Sequence, residues 1–241
     1  MPRVVKEEEY AVKRNEILEV ARRLVYTKGY EQMSIQDILD ELKISKGAFY
    51  HYFDSKLALL DGLVERMMDE AVQLLQPIVE AADLPASEKL QRYFETGSRW
   101  KVARKSFMLD LMRVWYTDSN SIVRQKQETA AIKRIVPMLT KIVRQGIAEG
   151  VFTSTYPDQI GGMIWGLAQG IFDNVADLLL SEAPPADALQ RLEAIVGAYS
   201  EAMERILGAP AGTLQLSDIA LLKEWLVASP TEKTFNAVEL A

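Results

Sequence analysis

The chain has 241 residues, 49% hydrophobic and 26% charged, with a net charge of −6 and no cysteine. That is enough chain for one large domain or two smaller ones with a substantial core. It excludes disulfides, thiolate metal sites and cysteine nucleophiles. No apolar run approaches the ~18 residues that cross a bilayer. The mixed-charge start, MPRVVKEEEYAVKR, has no apolar segment of a secretory signal, and a cytoplasmic protein is expected. The acidity is uneven. Residues 1–56 carry ten Lys/Arg and ten Asp/Glu, and the remaining 18 and 24 hold the whole excess. The first segment is therefore the end less repulsive to a polyanion.

Helical periodicity dominates and no strand pattern appears. Over 10–28, Ile17, Ala21, Leu24 and Val25 fall on one face, and Gly29 supplies a C-terminal stop that tolerates positive φ. Ser34 caps a short helix with Asp37 against its N-terminal dipole, and Ile35, Ile38, Leu39 and Leu42 form its apolar face. Ser45 caps a third helix to about Tyr52. Ser55 or Asp54 caps a long one to about Ala82, striped by Leu57, Leu60, Val64, Met67, Ala71, Leu74 and Ile78, with a kink predicted at Pro77. Further helices are predicted over 86–104, 105–116, 120–149, 157–181, 186–207 and 217–228. Pro137 predicts a kink or break in the 120–149 helix. Pro184-Pro185 marks a junction, and Ala209-Pro210-Ala211-Gly212 reads as a linker.

The first three short elements, with the tight link Lys43-Ile44, make a helix-turn-helix. Phe49 and Phe53 are spaced i, i+4, so they share a face. Turned inward with Ile44, they clamp the third helix on Leu24, Ile38 and Leu42. Ser45, Lys46, Gly47, Ala48, Tyr50 and His51 then face out, a surface that is polar, partly basic and small at its N-terminal end. Such a helix fits a major groove. Lys56 lies in the first turn of the next helix, where its ammonium and the free N–H groups suit a phosphate.

The stretch GYEQMSIQDILDELKISKGAFYHYFDSKLALL resembles the signature of TetR-type transcriptional regulators. The matching residues are Gly29, Ser34, Ile35, Asp37, Ile38, Ile44, Ser45, Gly47, Phe49, Tyr50, Phe53, Ser55, Lys56 and Leu59-Leu60. Met33 departs from it by standing where Thr is common, which removes a capping hydroxyl. The order His51-Tyr52 reverses a frequent Tyr-His and leaves open which ring faces out. The resemblance implies an all-α chain: an N-terminal three-helix DNA-binding domain (1–56), a helical effector-binding and dimerisation domain (57–208), and here an extra helix and tail (209–241). It implies phosphate contacts at Ser34, Tyr50 and Lys56, base-edge contacts near Lys46 and Ala48, and His51 at backbone or base. The partners implied are a palindromic double-stranded operator, a second copy of the chain and a small-molecule effector that releases the DNA, so that the chain represses.

Gly162, Gly166 and Gly170 fall at i, i+4, i+8, each costing about 1 kcal/mol of helix stability relative to Ala. With Ala194, Gly197, Ala198 and Ala202 they read as close helix packing, within one subunit or, by the resemblance, between two. Rings and polar groups on the middle helices, Trp100, Met108, Trp115, Trp165, Gln169 and Asp173, are the candidates for contacting the effector, although rings at helical spacing also build cores. No metal site is expected, since the single His51 has no second His or Cys to complete a ligand set. No phosphate loop, HExxH or GxSxG motif suggests an enzyme. The rival readings are a helical adaptor whose helix-turn-helix binds protein, and an enzyme acting through carboxylates.

Overall fold

A computed structural model of the chain describes residues 2–116, 121–181, 187–216 and 218–226. These form ten helices and, among the described residues, no strand: α1 (Pro2–Lys28), α2 (Ile35–Leu42), α3 (Lys46–Tyr50), α4 (Lys56–Glu80), α5 (Ala86–Val102), α6 (Lys105–Trp115), α7 (Ser121–Ala148), α8 (Pro157–Leu179), α9 (Ala188–Leu207) and α10 (Ile219–Leu226). Two compact units emerge, parted between residues 67 and 68. The boundary falls inside α4 rather than at its start. Pro184-Pro185 and residues 227–241 lie outside the described residues.

The N-terminal unit is built by local rules. Gly29 adopts φ 81° and ends α1, and its N–H bonds the Val25 carbonyl at 2.9 Å. Ser34 caps α2 in a reciprocal box with Asp37, and the Ser55 hydroxyl accepts the Ala58 N–H at 2.9 Å to cap α4. Ile17, Leu18, Ala21, Leu24 and Ile38 close the core. Met33, in place of a capping Thr, is 1% exposed. Its side chain adds apolar burial where a hydroxyl would have bonded backbone.

The C-terminal unit packs α7 against α5 and α8, α8 against α9, and α10 against α9 and α5. Its caps come from afar. No side chain of its own caps α5; instead Glu149, just beyond α7, accepts the Ala86 N–H at 2.8 Å. That bond, and a second from Gln145, hold the Glu149 carboxyl below its usual range. Lys89, 4% exposed, donates to the Val79 carbonyl at 3.0 Å, placing a cation at the C-terminal dipole of α4. Gly208 turns the end of α9 at φ 63°, and Thr153 donates to the Leu207 carbonyl at 2.8 Å.

Four expectations change. First, α1 begins at Pro2 and α3 ends at Tyr50. Second, α7 runs unbroken through Pro137, so the predicted break is absent. Third, the α4 stripe drifts. Leu75 and Val79 are buried while Leu74 is 41% exposed, because a 3.5-residue pattern slips around a 3.6-residue helix by ~20° per heptad. Fourth, Ala209–Gly212 is no free linker. Thr213 bonds the Pro210 carbonyl at 3.2 Å, Leu214 and Leu216 are buried, and the Glu204 carboxylate accepts the Leu214 N–H at 2.8 Å. Leu221 and Leu222 then seat α10, with Trp225 half-buried.

Candidate nucleic-acid interface

The link between α2 and α3 is tight because Lys43 takes a left-handed conformation (φ 51°, ψ 43°). This is the only positive φ outside glycine among the described residues. The Ile44 N–H then returns to the Leu39 carbonyl at 3.1 Å, and Ser45 caps α3 by accepting the Ala48 N–H at 3.1 Å. Phe49 is 0% and Phe53 3% exposed, their rings 6.0 Å apart. Ile44 and Leu42 are only half-buried, so the two rings, more than Ile44, hold α3 to the core.

The opposite face is open. Ser45, Lys46, Gly47, Tyr50 and His51 are exposed and Ala48 half-exposed. A Cβ built on Gly47 would meet only Ser45 Oγ, at 3.9 Å. The fold therefore places no demand for glycine there, although glycine weakens a helix. Lys46 and Lys43 have no ion pair among the described residues, and the Lys46 ammonium lies 5.9 Å over the Tyr50 ring. The α1 cations whose side chains are described are committed: Lys13 to Glu16, Arg14 to Glu65, Arg22 to Glu19, Arg23 to Glu41 and Lys28 to Asp37. Unpaired positive charge thus gathers at α3 in an acidic protein.

Two expected contacts are partly engaged inside the chain. Lys56 donates to the Glu31 carbonyl at 3.2 Å and sits 4.4 Å over the Tyr30 ring. It braces the α1–α2 turn. Ser34 donates both its N–H and its hydroxyl to Asp37 Oδ2, at 2.8 and 2.9 Å, so its donors serve the cap. One residue was missed. Tyr10 stacks on Tyr52 at 4.8 Å and meets His51 edge-on at 5.5 Å. It holds the C-terminal end of α3, leaving His51 exposed and Tyr52 half-buried. Its pairing crosses forty residues of chain, which no local spacing rule detects.

In the C-terminal unit the glycines separate into two kinds. Gly162 and Gly166 meet nothing within 4 Å, and Met163 between them is 50% exposed. Gly170 does face its own subunit, since a Cβ there would come 2.5 Å from the Tyr199 hydroxyl. The tight helix crossing uses Gly161 instead, where a Cβ would meet the Val136 carbonyl and the Thr140 N at 2.9 Å. On α9, Gly197 is equally open, Ala194 and Ala198 are exposed and Ala202 half-buried.

The effector candidates scatter. Met108 is core, 2% exposed. Trp100 is half-buried under the Arg104 guanidinium, 4.4 Å from its ring. Asp173 is exposed and accepts the Tyr116 hydroxyl. Trp165 and Gln169 are half-buried on α8. The side chain of Trp115 lies outside the described residues. Among the described residues there is no cluster of His, Cys, Asp or Glu able to hold a metal.

Residues 17–63 match the family described as bacterial regulatory proteins, tetR family. Residues 110–179 match a tetracyclin repressor-like C-terminal domain. The chain belongs to the TetR family. It is 27% identical over 140 residues to the HTH-type transcriptional regulator EthR of Mycolicibacterium smegmatis, covering 51% of this chain and 64% of that one. It is 31% identical over 85 residues to the HTH-type transcriptional repressor KstR2 of Rhodococcus jostii, covering 35% and 41%. The chain thus spans less than two thirds of the length of either, and 24% of a further relative, YuxN of Bacillus subtilis. A TetR-family regulator from Pectobacterium atrosepticum shares the fold, with a TM-score of 0.60 at 21% identity over 84% of this chain and 98% of that one.

Proposed function

We propose that this TetR-family chain is a homodimeric, sequence-specific DNA-binding repressor that a small molecule releases from its operator. The open face of α3 carries the reading. It combines the unpaired Lys43 and Lys46, the exposed Tyr50 and His51, and a glycine that nothing in the fold requires. Lys46, Gly47 and Ala48 would lie against base edges, with Gly47 letting the backbone approach. Ser45, Tyr50, His51 and Lys56 would contact the sugar–phosphate backbone, and Ser34 only at the expense of its bond to Asp37.

A second copy would dock on the open faces of α8 and α9, around Gly162, Gly166, Ala194 and Ala198. A two-fold axis would then present two α3 helices to successive major grooves, roughly 34–36 Å apart. An effector held among the helices of the C-terminal unit, by Trp100, Trp165 and Gln169, must bind the DNA-free arrangement better to oppose DNA, with a coupling of ~1–3 kcal/mol. The relative named as a repressor supports the sign of regulation. No helix among the described residues is long and apolar enough to cross a membrane, which supports action in the cytoplasm. The adaptor reading predicts binding to protein and little salt dependence, whereas phosphate contacts predict a steep one.

Selection of duplexes from a random pool tests the proposal. Enrichment of a palindrome with half-site centres one helical turn or a multiple apart is expected. Recovery of no common sequence, or of an asymmetric one bound by single chains, would reject it.

A further inference from the structure

We propose that the C-terminal unit takes an uncharged, largely apolar ligand bearing one hydrogen-bond acceptor, and that the Trp165 indole N–H binds it. This rests on the effector reading and adds the ligand's chemical class. Among the described residues, Trp165 Nε1 is the one buried side-chain polar atom without a hydrogen-bond partner. Buried polar groups are almost always paired, so the exception calls for a cause. Indole is a donor only, and nothing but an acceptor satisfies it. The ring packs at the edge of the unit's core. It shares a helix face with Ala168, Gln169 and Phe172, at i+3, i+4 and i+7. Neighbouring helices reach the same stretch of α8: the Lys101 ammonium of α5 lies 5.8 Å from the Phe172 ring, and Tyr116, following α6, bonds Asp173.

The charges decide the class. The two buried charged side chains among the described residues are already bonded, Lys89 to the Val79 carbonyl and Glu204 to the Leu214 N–H. Arg104 pairs with Glu70 at 3.2 Å, and Lys105 donates to the Glu224 carbonyl at 2.8 Å. Lys101, over the Phe172 ring, keeps an uncommitted ammonium, but desolvation lowers its pKa. A carboxylate or ammonium seated at Trp165 would meet no other uncommitted buried counter-charge, and an unpaired buried ion is costly. A ketone, ester or ether needs only the single donor that Trp165 holds ready.

Matched probes test this on the full chain: benzophenone, diphenylmethane and 2-benzoylbenzoate, which differ in the acceptor and the charge. Protein labelled with 15N at its indoles has four signals, one per Trp, and Trp165→Phe identifies the fourth by its loss. Benzophenone is expected to move the Trp165 signal downfield and to bind about tenfold more tightly than diphenylmethane, which is 1.4 kcal/mol. In Trp165→Phe both should bind alike. Equal binding of ketone and hydrocarbon, binding of neither, a preference that survives Trp165→Phe, or tightest binding by the carboxylate would overturn the assignment. The wild-type signal decides the matter even if the variant folds poorly. Operator release is followed separately. Ketone binding at Trp165 without release would reject the effector reading and keep the site. Release by the carboxylate, indifferent to Trp165→Phe, would do the reverse.

Discussion

Helices α3 and α8 each present glycine to empty space, yet their surroundings differ. Around Gly47 stand an unpaired lysine, a phenol and an imidazole. Around Gly162 and Gly166 the helix carries no charged residue from 159 to 172, and the exposed neighbour is Met163. The facing stretch of α9, 194–200, is uncharged as well. An open glycine with cations about it suits a polyanion, which rewards charge and tolerates water. An open glycine among small neutral residues suits a second protein surface, where close backbone approach and dry packing matter. One vacancy rule thus points to two partners, and the rim chemistry tells them apart.

The largest expected effect comes from charging the neutral face. Gly166→Arg adds its Cβ where nothing beyond the local helix lies within 4 Å, so circular dichroism of the subunit should stay unchanged. Sedimentation at micromolar concentration should shift from dimer to monomer. Operator affinity should fall about 100-fold, because the second half-site loses its tethered effective concentration. A dimer that persists would move the interface elsewhere and leave α8 open for some other purpose.

Neighbouring glycines on α8 sharpen the contrast. Gly161→Ala drives a Cβ into the backbone at Val136 and Thr140, and backbone yields less than a flexible side chain. We expect a loss of about 1–3 kcal/mol in urea unfolding. Gly162→Ala meets nothing in its own chain, and in a background kept monomeric by Gly166→Arg the gain in helix propensity should stabilise by roughly 0.5–1 kcal/mol. Equal effects at the two positions would mean that the α7–α8 crossing is not made at Gly161.

These pairs also show what a sequence discloses. The caps Ser34, Ser45 and Ser55, the stop at Gly29 and the inward rings Phe49 and Phe53 were legible, because each depends on residues three or four apart. Between helices, spacing is silent. It marked Gly162, Gly166 and Gly170 but passed over Gly161, since which face meets α7 is set by packing. It ran the α4 stripe through Leu74 where the structure buries Leu75. Lys56 braced on Tyr30, Glu149 capping α5 and Tyr10 stacked on Tyr52 all join elements far apart in the chain. The outward face of α3 was readable because its inward face was short and aromatic. The effector residues were not, because rings at helical spacing serve core and pocket alike, and Met108 turned out to be core.

At Gly47 fold and function should pull apart. Gly47→Ala meets only Ser45 Oγ at an ordinary 3.9 Å and should raise stability by about 0.5–1 kcal/mol. The added methyl stands where a base edge would approach, and we expect roughly tenfold weaker operator binding. A variant that is both more stable and equally tight would show that no backbone approach is needed there, and the parallel drawn between α3 and α8 would fail on the α3 side.

The smallest effect concerns the scaffold that aims α3. The Lys28 ammonium, 2.6 Å away, and then the Ser34 N–H and hydroxyl, hold the Asp37 carboxyl down from 3.8 to about 2. A carboxylate depressed in the folded state adds stability above its unfolded pKa and loses it as pH falls through the folded one. The window therefore runs from about pH 4 down to about 2. Asp37→Asn keeps the shape but removes the titration, so its stability should vary less with pH across that window than the wild type's. The site is exposed, and the change should be a modest flattening of the acid limb, read from midpoints of denaturant unfolding. An unaltered acid limb would mean that the cap works through geometry alone.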